Sequence, residues 1–158
     1  MKLGELLFSS LIGAVASARS MTPMAAIAVA RLLGYKMPGR VVLLDRPLFR
    51  YGAVAMGAGE LVGDKLESAP DRTVALGMLA RVSSAGIAGA ALAPEGRESE
   101  GACVAIATAV PLAYATLKAR KRAIKKMGQT RSGVLEDALI VVAGVVIVAL
   151  ATEAMRRK

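Results

Sequence analysis

The chain has 158 residues, 55% of them hydrophobic and 21% charged, with a net charge of +9 and a mean hydropathy of +0.53. That is more apolar surface than a soluble domain of this size buries, so a membrane-embedded protein is expected in preference to an Ala-rich soluble helical bundle. Histidine is absent and Cys103 is the single cysteine, which rules out an internal disulfide and leaves haem, non-haem iron and catalytic zinc without their commonest ligand; no cofactor and no metal is expected.

Apolar runs between polar punctuation predict five helical segments in one transmembrane domain covering 1–158. No strand is expected, because strict period-two alternation is missing and an all-helical layout satisfies backbone hydrogen bonds in lipid. The fold class is thus an all-α integral membrane protein, a bundle of about five transmembrane helices.

The first segment spans about Leu3–Leu33 and is interrupted. Its start, "MKLGELLFSSLIGAVASA", imitates a secretory signal peptide, but Glu5 inside it argues against that, and the segment is expected to be retained. Further on, "ARSMTPMAA" places Arg19 in mid-membrane register, followed by Thr22 and Pro23, a helix start signal with Thr as N-cap and Pro at the first helical position. Some 30 continuous residues exceed one untilted span, so a break near Ser20–Pro23 is expected. A broken helix can present unpaired N–H groups to a ligand; a proline kink, or two short helices meeting, is the plainer alternative.

After it, "GYKMPGRVVLLDRPLFRY" mixes Tyr35, Phe49 and Tyr51 with Lys36, Arg40, Arg46 and Arg50, a composition that favours the headgroup zone. The second helix is expected at about Pro47–Leu66, the third at Arg72–Leu92, the fourth from Glu98 to about Lys121 and the fifth at Ser132–Met155. The last two contain uncharged stretches at 101–117 and 138–152, near the length of a span once their flanks are added.

Between them, "KARKRAIKKMGQTR" (118–131) follows an apolar span directly. It is expected as a cytoplasmic loop obeying the positive-inside bias and touching anionic lipid headgroups; nucleic acid is not expected as a partner, because aromatic interleaving and any known recognition module are lacking. Alternation from that loop puts 94–100 outside, the "ESAPDR" turn inside and both 35–50 and the terminal "RRK" outside. The amino terminus is inside if the first segment crosses once, and outside if that segment is a hairpin.

Small-residue pairs at Gly13/Ser17, Gly59/Gly63 and Ala85/Gly89 support close helix packing, which in lipid replaces the hydrophobic drive for association.

The charges inside apolar stretches are the candidate site: Arg19, Glu60, Asp64, Lys65, Glu136 and Asp137. Glu60 and Asp64 are four apart and share a helix face, where their repulsion calls for Lys65, Arg19, Arg81 or a bound cation, unless the helix ends near Lys65 and both carboxylates reach the headgroups. Arg19 is the preferred partner, since an unpaired charge at membrane depth costs at least about 2.5 kcal/mol. Glu136 and Asp137 have two readings: members of the same polar node, or first-turn acids complementing a helix that Ser132 caps.

A mid-span Arg with a following Pro (Arg19, Pro23), a Glu four before an Asp-Lys pair (Glu60, Asp64, Lys65) and a late Ser followed by Glu-Asp (Ser132, Glu136, Asp137) resemble bacterial membrane proteins grouped as domain of unknown function 4126. In that pattern a Pro closely follows the Asp-Lys pair, whereas here it comes at Pro70. The resemblance implies a multi-pass protein of the bacterial inner membrane and no particular activity.

Two functions are expected to compete. One is a small-solute or ion transporter or channel using the node, in which neutralising Glu60 or Asp64 abolishes flux; the other is a structural or accessory subunit whose buried pairs fix helix registry. An enzyme is not expected, as there is no metal-ligand spacing and no nucleophile elbow. Five short helices make a thin bundle, so a homo-oligomer or a membrane-complex subunit is expected over a monomer.

Overall fold

A computed structural model describes residues 6–63 and 75–157. Among them are six α-helices and one short 3-10 turn, with no strand: α1 (Leu7–Ala18), α2 (Thr22–Leu32), the 3-10 turn (Val42–Asp45), α3 (Pro47–Gly63), α4 (Ala75–Leu92), α5 (Glu98–Met127) and α6 (Gln129–Arg156). The all-helical expectation is met. α5 and α6 are long and apolar enough to cross a membrane, and only 17% and 22% of the residues in their apolar stretches are buried. A core helix of a soluble protein would be mostly buried; these two turn most of their apolar surface outward.

The first segment breaks where Arg19 and Pro23 predicted, and its halves then fold against each other. Ser9 Oγ, near the start of α1, donates to the Gly89 carbonyl at 2.8 Å. Beyond α2, the Gly39 amide donates to the Ala91 carbonyl at 3.0 Å. Both ends of the α1–α2 unit therefore meet the C-terminal end of α4, and the unit is a helical hairpin with its tip at Arg19–Met21. Neither half is long enough to span a bilayer alone: 12 and 11 residues reach about 18 and 16 Å, short of a hydrocarbon core of about 30 Å.

α1 is the central element, lying against α4, α5 and α6. Its sequence, LFSSLIGAVASA, is apolar nearly all round, and Ser9, Ile12, Gly13 and Val15 to Ala18 are buried while Leu7 and Leu11 are exposed. Close approach depends on small residues. A Cβ at Gly13 would stand 2.3 Å from the Ala105 carbonyl oxygen, and one at Gly89 2.5 Å from that of Gly101, so α1 and α4 both touch α5 backbone to backbone. Ala16, Ala85, Ala105 and Ala109 fill the seam. The pairs Gly13/Ser17 and Ala85/Gly89 thus pack as expected. Gly59 and Gly63 do not: an added Cβ at either meets nothing within 4 Å among the described residues.

The segment 118–131 is not a loop. α5 runs on to Met127 and α6 starts at Gln129, separated by Gly128 at φ 83°. Lys, Arg, Ala and Met are good helix formers, and no breaker intervenes before that glycine, which takes a left-handed turn at little cost. Ser132 is consequently no N-cap; its Oγ turns back to the Gln129 carbonyl at 3.4 Å. Glu136 and Asp137 stand about two turns inside α6 and so cannot be first-turn acids.

The end of the bundle opposite Gly128 gathers the α2–α3 and α4–α5 connections and the end of α6. The Arg40 amide donates to Glu98 at 3.0 Å, Arg40 lies 3.7 Å from Glu95, and Arg156 stacks over the Tyr35 ring at 5.4 Å. Residues of 35–50, 94–100 and the end of α6 thus stand together at one end of the bundle.

Candidate functional site: the tip of the α1–α2 hairpin

At the hairpin tip two helix ends face each other in the interior. The last carbonyls of α1 and the first amides of α2 have no partners within their own helices. Each set is met by side chains from other helices. Arg81 of α4 donates its Nε to the Ala16 carbonyl at 2.8 Å, and Thr116 Oγ1 of α5 donates to the Ser17 carbonyl at 3.1 Å. A cation and a hydroxyl thus cap the negative end of α1, the sign that the helix dipole favours.

Glu60 does the same for α2 with the opposite charge. Its Oε1 accepts from the Ser20 amide at 2.8 Å and from Ser20 Oγ at 2.7 Å, while Oε2 accepts from the Met21 amide at 2.8 Å. Thr22 was expected as the N-cap; the helix begins at Thr22 with no side-chain cap of its own. The carboxylate from α3 replaces it because both oxygens can be used at once and a negative charge suits that helix end.

Arg19, between the two ends, is 1% exposed. Its Nη2 forms an ion pair with Asp137 Oδ1 of α6, and its Nη1 reaches the Glu60 backbone carbonyl at 3.4 Å. The expected node of Arg19 with acids from other helices is therefore present, with one correction. Among the described residues the carboxylate paired with Arg19 is that of Asp137, while Glu60 is engaged by the start of α2. Asp137 is 9% exposed and Arg81 2%.

Of the six candidates, Arg19, Glu60 and Asp137 converge. Glu136 pairs with Arg120 across the α5–α6 hairpin at 2.7 Å. Asp64 and Lys65 lie outside the described residues. Thr116 was not among the candidates, and Arg81 was named only as one of the cations that could meet Glu60 and Asp64; it carried a legible signal, as the one charge in the sequence of α4. Among the described residues no three Cys, Asp or Glu side chains stand close enough to share a metal ion.

Chemically, the tip is a set of charges arranged so that each neutralises a specific backbone end or an opposite charge. Four helices contribute to it: α3 through Glu60, α4 through Arg81, α5 through Thr116 and α6 through Asp137. No family model, curated protein or solved structure matches the chain.

Proposed function

We propose that the chain is a multi-pass protein of the bacterial inner membrane, related to the family of unknown function that its charged motifs resemble, and that it moves a small solute or ion through the polar node at the hairpin tip. In this reading α3, α4, α5 and α6 cross the bilayer and the α1–α2 hairpin enters it and returns. Glu60 stands 13 residues into α3, about 20 Å along its axis from the headgroup-rich end, which sets the tip deep in the hydrocarbon. The basic Gly128 end faces the cytoplasm and its anionic headgroups.

One observation carries the reading: the facing ends of the broken helix are met by charged side chains from separate helices. A lipid-exposed break of this kind does not occur within hydrocarbon; irregular backbone is tolerated where it is buried in protein or lines a polar cavity. Intramembrane charges at such a break mark solute or ion pathways. No catalytic chemistry is assigned, and the thin bundle is proposed to act as a homo-oligomer.

Purified protein in liposomes loaded with small anions or cations tests this. Wild type should show flux, and Glu60→Gln, which keeps the side chain's volume and one acceptor, should lower it at least tenfold without changing helical content. Equal flux in wild type and variant would sink the proposal.

A second reading, an accessory subunit, is favoured by the exposed apolar face of α6, where Leu139 is 69% and Val142 60% exposed. It expects no flux from the isolated chain and stoichiometric recovery with a larger membrane complex, which native mass spectrometry of mild-detergent extracts distinguishes.

A further inference from the structure

α3 is attached to the bundle through α2 and the 3-10 turn, while α6 packs on α1, α2 and α5. Between α3 and α6, with α2 as its floor, lies an apolar groove of about 750 Å³, a volume typical of small-ligand sites. Its walls are aliphatic: Ala26 and Val29 on α2, Val54 and Ala58 on α3, Val141 and Val145 on α6. Polar groups are confined to its ends. Thr22 stands at the hairpin tip, and Tyr35, Glu153 and Arg156 stand at the opposite end.

We infer that this groove holds one acyl chain of an anionic glycerophospholipid, with the headgroup against Arg156. The inference rests on the membrane reading given above. In a bilayer an apolar groove open to the side is filled by lipid. Three features select the kind of lipid.

Length is the first. From Arg156 to Val141 the groove follows 15 residues of α6, about 22 Å of helix, enough for a chain that spans one leaflet of a hydrocarbon core about 30 Å thick.

Charge is the second. The mouth carries Arg156 held over the Tyr35 ring at 5.4 Å, a cation fixed beside an aromatic in the composition expected of the headgroup zone. Glu153, the acid at that end, is engaged by Arg157 Nε at 3.1 Å, so the balance at the mouth is positive.

The third is chemistry along the walls. Between Thr22 at one end and Thr152, next to Glu153, towards the other, no lining side chain offers a hydrogen bond. A sugar, nucleotide or peptide would lose its hydration there without compensation, whereas a hydrocarbon chain loses nothing.

The test uses the full chain, delipidated in detergent and titrated with phosphatidylglycerol or phosphatidylcholine while native mass spectrometry counts bound lipid. One phosphatidylglycerol per chain is expected, bound at least fivefold more tightly than phosphatidylcholine. Val145→Trp, at a 55% exposed position that lines the groove, should abolish both; Ala58→Trp on the facing wall is the second filling variant should the first fail to fold. Arg156→Gln should remove the preference for phosphatidylglycerol and leave chain binding in place.

Unchanged occupancy in a folded groove-filling variant overturns the inference, as does equal affinity of wild type for the two lipids. A protein dimer that the filling variants disperse, with no lipid on wild type, overturns it in favour of a second copy. Recovery of the native chain in the soluble fraction after membrane fractionation would instead sink the membrane reading itself.

Discussion

The seam of α1, α4 and α5 and the side formed by α2, α3 and α6 are both rich in Ala, Gly, Val and Leu but pack differently: α2 and α3 approach closely at Gly57, where an added Cβ would fall 2.6 Å from Ala25 Cβ, yet α3 and α6 stay apart. In the seam, glycines at 13, 89 and 101 bring backbones into contact, such that an added Cβ would fall within 2.3 to 2.5 Å of a neighbouring atom. On the other side, small residues such as Ala26 and Ala58 border a groove of about 750 Å³. Small side chains therefore do not dictate close packing. They permit it where two helices are forced together along their lengths, and they leave space where a third helix holds two others apart. The hairpin tip joins the regions, since Arg81 and Thr116 reach it from the seam and Glu60 and Asp137 from the groove side.

Breaking that joint should have the largest effect. Arg19→Met takes from the buried Asp137 the guanidinium paired with it, with an expected loss of about 3–5 kcal/mol. The double variant Arg19→Met/Asp137→Leu should recover most of it. Thermal unfolding in detergent measures both, and a double variant no more stable than the single one would mean that the pair itself, rather than the acid left behind, holds the tip.

Within the seam, Gly13→Val should cost about 1–3 kcal/mol or prevent folding, because its Cβ meets the Ala105 backbone, which cannot move aside as a side chain can. Ala58→Val on the groove wall should change stability by less than about 0.5 kcal/mol. Equal costs at the two sites would erase the contrast.

Glu60→Ala removes three accepted hydrogen bonds at the start of α2. About 1 kcal/mol is expected, the usual worth of a helix cap, together with faster amide exchange at Ser20 and Met21. Protection unchanged at those two amides would show that another group caps the helix.

The smallest change should come from Gly59→Ala. Its side chain would meet nothing within 4 Å among the described residues, so the substitution should stabilise the helix by about 0.5–1 kcal/mol through the unfolded chain. A marked loss of stability or of oligomer would mean that this face of α3 packs against another chain.

Much of the architecture was legible in local chemistry. The five helical segments, the break after Arg19 and the punctuation at 34–47 and 93–97 follow from apolar runs, Gly, Pro and charge. The register of 118–131 was misread because a basic run was equated with a loop; Lys and Arg are helix formers, and charge predicts where a segment sits relative to lipid, not whether it is coiled. Within the site, Arg19, Glu60 and Asp137 stood out as charges in apolar surroundings, and so did Arg81, whose sequence context in α4 is equally apolar. Thr116 was hidden, because a threonine in a helix carries no mark of the carbonyl it will meet.

What the sequence determined by itself was therefore a helical chain, read as about five spans where two of the described helices, α5 and α6, are long and apolar enough to cross a membrane, and a small set of charges in apolar stretches that had to be compensated. The tertiary structure alone decided how. Whether the broken first segment crosses or turns back depends on α4 receiving both of its ends. Glu60 goes to the amides of Ser20 and Met21, since a carboxylate with two oxygens satisfies a helix start better than a hydroxyl does, and Arg19 pairs with Asp137. Local propensity sets where a helix begins and ends; which charge satisfies each end is settled by the helices that arrive beside it.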